Sequence, residues 1–220
     1  MYKTIKGIAV GILAVGILSG CGTNEEDNNT TKTEKDKTEQ EASDKKKENK
    51  EAGLGIVGNY GKVTVISEAE PYTLEGNKNV DYTLSDIKMV KIEDFTEDAV
   101  TLAWKLGLED VSELPDSVYA VIGTEKKKNN TDISIEFTGI KTMAAGSKQI
   151  DVIDEDFAED KDSAGSNMLS GVEREEQFAV LVEDPDIATL KFVLSRAFDS
   201  ETMTNDFLQE QEFERTLNKK

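Results

Sequence analysis

Short segments in which apolar and polar side chains alternate are the feature that most constrains the fold of this chain. The alternation is found at residues 80–84 and 133–137, and every second residue of the segments 178–182 and 190–194 can likewise share one apolar face. Because successive side chains of a β-strand point to opposite faces, the pattern predicts strands with one buried face. Gly, Pro, Asn and Asp residues between these segments favour turns. About seven such strands predict an all-β fold, an antiparallel β-sandwich.

One segment departs from this alternation. Residues 97–108 carry apolar side chains at three- and four-residue spacing, which predicts one short inserted amphipathic helix. We expect Trp104, the only tryptophan of the chain, to fill the core beneath a sheet. The alternative for Trp104 is an exposed binding anchor. The tail at residues 207–217 suits either an edge strand or a helix.

Two turns organise the middle of the predicted sandwich. Asn129–Asp132 is rich in turn-forming residues, and the strands on either side of it, 118–124 and 133–137, are predicted to pair as a hairpin. Gly146 marks a second turn, between strands at 140–143 and 149–153. Residues 154–171 are acidic and small, and are predicted to form a long loop.

The first 53 residues are set apart from the predicted domain, which spans residues 54–220. Residues 1–20 have two lysines, an apolar run and small residues at the end, as in a secretory signal peptide. The apolar run of about 11 residues is shorter than the roughly 20 that a spanning helix needs. Residues 22–52 contain no aromatic or branched aliphatic residue, so residues 21–53 are predicted to be a disordered, charged tether.

The residues at the end of the signal segment resemble the lipobox of bacterial lipoproteins. Leu18, Ser19 and Gly20 precede Cys21, which is the only cysteine of the chain. The resemblance implies cleavage before Cys21, a diacylglycerol on its thiol and acyl chains such as palmitate. Two acyl chains are enough for stable anchoring in a bilayer. We therefore expect a lipoprotein anchored to the cell membrane through Cys21 and facing outside the cytoplasm. The alternative is an ordinary signal peptide followed by a chance cysteine.

Composition excludes several kinds of function. The chain has no histidine, which removes the commonest general base and zinc ligand, and excludes serine or cysteine hydrolases that depend on histidine. Its formal net charge of -19 repels nucleic-acid phosphates, so no nucleic acid is expected as a partner. We expect no enzyme activity and no organic cofactor. The same charge attracts cationic partners and divalent cations.

The densest group of acidic residues lies at positions 154–162. Carboxylates on a flexible loop are ligands that Ca²⁺ prefers, which makes this loop a candidate cation site. The spacing differs from that of an EF-hand, and the alternative is a solvated acidic loop. The predicted ligands are Asp154, Asp156, Asp160 and Asp162.

A second resemblance concerns the domain. The tyrosine-bearing strand 80–90, the strand and polar turn at 118–132, and the Gly-Ser-Lys-Gln-Ile segment at 146–150 follow one another in order. Ser170–Glu173 then leads into Phe178–Val180, followed by Leu190–Phe192. This order resembles the immunoglobulin-like domain of Firmicutes lipoproteins of the DUF4352 type. The resemblance covers most of residues 63–198 and implies an immunoglobulin-like sandwich in a Gram-positive lipoprotein, with no established catalytic residues.

These observations favour a non-catalytic binding or interaction module at the cell surface. The loops of a sandwich are natural recognition sites, and the partner is expected to be an extracytoplasmic protein or a small ligand. Two alternatives remain open. One is a structural or maintenance role in the envelope, and the other is binding of divalent cations by the acidic loop.

Overall fold

The computed structural model describes residues 54, 55, 57–158 and 165–220. Short helices occur at α1 (Val100–Lys105), which follows a 3₁₀ turn at Glu97–Ala99, and at α2 (Val152–Glu155). The strands are β1 (Lys62–Glu68), β2 (Tyr72–Thr73), β3 (Val80–Glu93), β4 (Ser117–Asn129), β5 (Ile135–Glu136), β6 (Ile140–Ala145), β7 (Lys148–Asp151), β8 (Asn167–Met168), β9 (Glu173–Val182), β10 (Thr189–Leu194), β11 (Ala197–Asp199), β12 (Asp206–Leu208), β13 (Gln211–Thr216) and β14 (Asn218–Lys219).

The first layer of the sandwich is a six-stranded sheet with the order β14-β1-β3-β4-β9, and β2 pairs with β3 outside this path. All of its pairs are antiparallel. Its centre is the long pair of β3 and β4, whose register runs from Val80 opposite Asn129 to Glu93 opposite Ser117. The strand β9 lies at one edge of this sheet.

The second layer consists of two short sheets, with the orders β13-β10-β6-β7 and β12-β11-β5-β8. Three strands of one sheet continue along the chain into strands of the other, at β5–β6, β10–β11 and β12–β13. The second layer is therefore a long sheet interrupted along one line. Gly139 lies on that line with a φ of 91°, and its carbonyl oxygen accepts from the Ser195 amide at 2.8 Å.

The main core lies between the two layers. Alternate residues of β3, β4 and β9 contribute one face, and apolar residues of the second layer contribute the other. The largest buried side chains in this cluster include Tyr82, Phe137 and Phe192. The rings of Tyr82 and Phe137 meet edge-on with centroids 5.9 Å apart, a geometry that aromatic pairs prefer.

A second apolar cluster covers the outer face of the first layer. Leu102 of α1, Leu54, Tyr60 and Phe157 pack there against alternate residues of the central strands, such as Val90 and Ile122. The beginning of the domain and α1 therefore share one surface of the sheet. Trp104 does not join this cluster, because its side chain is 72% exposed. The prediction that Trp104 fills the core is wrong: a helix on a sheet buries one face, which in α1 carries Leu102 and Ala103.

The predicted antiparallel β-sandwich with one short inserted helix is confirmed. The Asn129–Asp132 turn exists, since the Asn129 side chain accepts from the Thr131 amide at 2.9 Å. The hairpin predicted around this turn is wrong, because β5 pairs with β8 and β11 rather than with β4. The turn instead carries the chain from the first layer to the second.

The tail at residues 207–217 forms β12 and β13, so of the two predicted alternatives for it, strand and helix, the strand is correct. The signal peptide, lipobox and tether predictions lie outside the described residues.

Candidate functional site

A groove of about 480 Å³ lies where the edge strands of the two layers come together. The strand β9 ends the first layer on this side, and β7 ends the neighbouring sheet of the second layer. The end of α1 and the start of β4 complete the walls. The apolar part of the lining includes Leu106, Val118, Tyr119, Ile150 and Leu181.

The backbone of β9 exposes hydrogen-bonding groups along this edge. The Ala179 amide donates to Oδ1 of Asp156 at 2.8 Å, and the Ala179 carbonyl oxygen accepts from the Phe157 amide at 2.9 Å. Ala179 therefore points both backbone groups away from β4. Because the orientation of backbone groups repeats every second residue along a strand, Leu181 points its N–H and C=O in the same direction. Leu181 lines the groove, so these groups face the groove side of the sheet.

The helix α2 and the residues after it occupy the seam between the two layers. Asp151 caps α2, since its Oδ1 accepts from the amides of Ile153 and Asp154 at 3.1 and 3.3 Å. Oδ1 of Asp156 accepts from the Ala158 amide as well as from Ala179, both at 2.8 Å. These two carboxylates hold the acidic segment against the edge of β9.

The predicted calcium ligands are not gathered by the described residues. Asp154 and Asp156 follow one another around α2, and Oδ1 of Asp156 is used by two backbone amides. Asp160 and Asp162 lie outside the described residues. Within residues 54–158 and 165–220, with residue 56 excepted, no group of three or more acidic or cysteine side chains is placed to hold a metal ion. Calcium binding by this loop stays a prediction.

Exposed apolar side chains border the groove. The side chains of Trp104 and Leu106, at the end of α1, are 72% and 43% exposed. Ile153 on α2 is 56% exposed but lines a second, smaller cleft instead of this groove. Nζ of Lys105 links the two helices by donating to the Asp154 carbonyl oxygen at 2.5 Å. The sequence did carry a signal for this surface. Val100 and Trp104 are spaced four residues apart, on a face of α1 other than that of Leu102.

Charges at the groove are predominantly acidic. Nζ of Lys148 lies 2.7 Å from Oε1 of Glu183, and the hydrogen bond between them lowers the pKa of the Glu183 carboxyl. Glu155 lines the groove and forms no ion pair within the described part of the chain. With Asp151 and Asp154 nearby, carboxylates outnumber ammonium groups at this end of the sandwich.

A smaller cleft of about 270 Å³ lies on the other side of α2 and contains a buried carboxylate. Oε1 of Glu125 accepts from the Tyr82 hydroxyl at 2.7 Å and from the Ile140 amide at 2.8 Å. Burial raises the pKa of Glu125, and the neighbouring charge of Lys127 opposes that rise. Nζ of Lys127 donates to the Thr138 carbonyl oxygen at 3.0 Å and pairs with Glu176.

This buried network has an architectural role. The Ile140 amide lies at the line where the second layer is interrupted, and Glu125 supplies its hydrogen-bond partner there. Burying a carboxylate is costly unless it is hydrogen-bonded and lies near an opposite charge, and both conditions are met. Alternation in β4 fails at Glu125 and Lys127, which face the core as charged residues. Local sequence patterns do not mark these two charged residues as buried.

Neither cleft identifies a known class of protein. No protein-family model matches the chain, and no curated protein matches it. Among solved structures, the chain is similar to a functionally unknown protein from Listeria monocytogenes EGD-e, with 12% sequence identity and a TM-score of 0.49. The match covers 75% of this chain and 92% of that chain. None of the described helices is long and apolar enough to cross a bilayer.

Proposed function

We propose that this chain is a lipoprotein anchored to the outer side of the cell membrane through Cys21, and that its domain is a non-catalytic interaction module. The observation that carries the interaction role is the exposed Trp104 beside a groove of about 480 Å³. Tryptophan is enriched among the residues that dominate binding energy at protein interfaces. Leu106, which lines the groove, adds a second partly exposed apolar side chain at the end of α1.

The proposed anchor suits this role. The domain begins at Leu54, roughly 30 residues after Cys21, and a coil of that length spans about 30 Å on average. The anchor would keep the groove within reach of other proteins on the membrane surface. Confinement of this kind raises the effective concentration of a partner, so a modest affinity is sufficient.

Crosslinking on intact cells tests the proposed function. Cells that express the chain are treated with an amine-reactive crosslinker, the membranes are solubilised, and the proteins that co-purify are identified by mass spectrometry. We expect one dominant protein, which is lost with Cys21→Ala and reduced with Trp104→Ala. Leu169→Ala is the matched control, because Leu169 is also exposed (61%) but lies beside the opposite end of β4.

The outcomes separate the alternatives. A partner captured equally by the Trp104→Ala and wild-type chains would place the contact elsewhere and contradict binding at the groove. Absence of any specific partner, together with a weakened envelope in cells that lack the chain, would favour the structural or maintenance role. A rise in melting temperature with millimolar Ca²⁺ would instead favour cation binding at Asp154, Asp156, Asp160 and Asp162.

A further inference from the structure

We propose that the groove receives an extended, lysine- or arginine-bearing segment of a partner protein, which adds as a strand to the free edge of β9. This inference rests on the proposed function, because it states the chemistry of the partner at the same groove. Three observations carry it: the direction of backbone groups in β9, the apolar rim, and the acidic charge around the groove.

The backbone of β9 provides the template. The edge of a sheet presents N–H and C=O groups that can pair with another extended chain. The chain already uses this edge itself, because Asp156 and Phe157 bond both backbone groups of Ala179. The next residue that points outward is Leu181, where the groove begins. A segment lying in the groove would continue the pairing that Phe157 starts.

The side chains around the edge add affinity. In a bound strand, alternate side chains face the sheet surfaces on either side of the edge. The groove offers Leu106 and Tyr119 as apolar contacts, and Trp104 stands exposed next to Leu106. Backbone pairing supplies general affinity, and such lateral contacts select among extended segments.

Charge selects the kind of segment. Asp151 and Glu155 line the groove, with Asp154 between them on the same helix. Of the two lysines of the lining, Lys148 pairs with Glu183, whereas Lys105 donates to the neutral Asp154 carbonyl oxygen and keeps its charge. The carboxylates at the groove still outnumber the two ammonium groups. A cationic side chain in the partner would meet this excess of carboxylates at short range, where screening by salt is weakest. The same charge repels anionic lipid headgroups, which disfavours a membrane surface as the occupant.

Synthetic peptides test the inference on the full-length chain. The probe is a seven-residue peptide, Thr-Val-Lys-Val-Arg-Val-Thr, with acetylated and amidated ends. Two controls are the version with Glu in place of Lys and Arg, and a version of the basic peptide that is N-methylated at alternate residues to block strand pairing. Fluorescence of Trp104 reports binding directly, because the chain has no other tryptophan.

We expect the basic peptide to bind, and its Kd to rise by about tenfold or more on N-methylation or on exchange of its charges. Equal affinity of the N-methylated peptide would show attraction by charge alone and would overturn strand addition. Failure of the basic peptide to bind at millimolar concentration would also overturn it. Capture of a Trp104-dependent partner in the crosslinking experiment would then still stand, so the two proposals fail separately.

A variant of the edge adds a test on the protein side. Proline lacks an N–H and is tolerated at positions of an edge strand that point outward. We expect Leu181→Pro to weaken binding of the basic peptide by about tenfold. The control is Glu175→Pro, which changes an outward-pointing position of β9 on the other side of Ala179. Equal binding by the Leu181→Pro and Glu175→Pro chains would contradict pairing at the groove.

Discussion

At the scale of single residues, the buried carboxylate of Glu125 decides the local geometry of the sandwich. The hydrogen bond that it accepts from the Ile140 amide connects the two layers at the line where the second layer is interrupted. The bond from the Tyr82 hydroxyl joins it to β3 within the first layer. The chain can approach this carboxylate because residue 139 is a glycine, with a φ of 91° that other residues rarely adopt. A Cβ at that position would lie 2.3 Å from Oε1 of Glu125.

Replacement of Gly139 therefore tests the contact. We expect Gly139→Ala to lower the free energy of unfolding by about 3 kcal/mol, because backbone strain is added to a clash with a side chain that cannot leave. Gly146→Ala is the matched control. Gly146 also has a positive φ, of 63°, but nothing lies within 4 Å of its added Cβ, so a loss of about 1 kcal/mol is expected. Urea unfolding measures the free energy of unfolding of both variants. Equal losses would show that a Cβ at residue 139 does not clash with Glu125.

Glu125 also predicts a dependence of stability on pH. Burial raises its pKa in the folded state above the ordinary value of 4.5. Protonated Glu125 therefore makes a contribution to the free energy of unfolding that is fully present below pH 4.5. This contribution is lost as pH rises through the raised pKa. Glu125→Gln removes this titration, so the stability of the wild-type chain relative to the variant should fall as pH rises. If the free energy of unfolding of the wild-type chain minus that of Glu125→Gln rose between pH 4 and pH 8, the raised pKa would be contradicted.

Glu93 should behave in the opposite way. Lys62 and Lys91 donate hydrogen bonds to its carboxylate and lower its pKa from 4.5 to about 2. Its contribution to stability is present above pH 4.5 and is lost as pH falls towards 2. The stability of the wild-type chain relative to Glu93→Gln should therefore shrink on acidification through this window. Unfolding by urea at several pH values measures the change, and a difference independent of pH would show that the ion pairs are absent in solution.

At the scale of elements, the helix α1 has one face buried against the sheet and another that is exposed. Leu102 is fully buried against the first layer, whereas Trp104, two residues further on, is 72% exposed. The apolar residues of α1 therefore exceed what packing requires. Such an excess on a short helix beside a groove is the feature that favours an interaction surface over a purely structural insertion.

The division predicts unequal effects of two alanine substitutions. Leu102→Ala should lower the free energy of unfolding by about 3 kcal/mol, since it opens a cavity in the outer cluster. Trp104→Ala should change it by about 0.5 kcal/mol or less, because an exposed side chain away from strain or caps contributes little to folding. Thermal and urea unfolding, monitored by circular dichroism, gives the free energy of unfolding of each variant. A large loss for Trp104→Ala would mean that this side chain is packed in solution.

At the scale of the whole molecule, a predicted tether precedes the folded domain and joins it to the proposed anchor. The tether contains lysines at positions 32, 35, 37, 45–47 and 50, all of them trypsin sites. If residues 22–52 lack stable structure, trypsin should cut them well before the exposed strand lysines Lys62 and Lys191. Mass spectrometry of timed digests should show an early new N-terminus at Glu51. Cleavage at Lys62 or Lys191 as fast as in the tether would contradict the predicted boundary.

The longer strands, the helix α1 and the class of fold could be predicted from the sequence. The helix α2 and the strand β8 could not, since residues 154–171 are predicted to form a loop. The features that could be predicted depend on local periodicity, which a single segment displays whether or not its neighbours are known. The resemblance of Leu18–Cys21 to a lipobox is likewise local, and stays a prediction about residues outside the described part of the chain. The polar turn at Asn129–Asp132 was also evident locally, because turn chemistry involves adjacent residues.

The pairing of the strands, the covered face of α1 and the meeting of two sheet edges at the groove became evident in the three-dimensional structure alone. The β5 strand joins the second layer by pairing with β8 and β11, and both of these partners are distant in sequence. Trp104 is exposed because Leu102 and Ala103 already occupy the contact with the sheet. The burial of Glu125 likewise depends on Tyr82 and Ile140, its hydrogen-bond partners from other strands. Each of these outcomes depends on contacts between distant segments, which local periodicity does not encode.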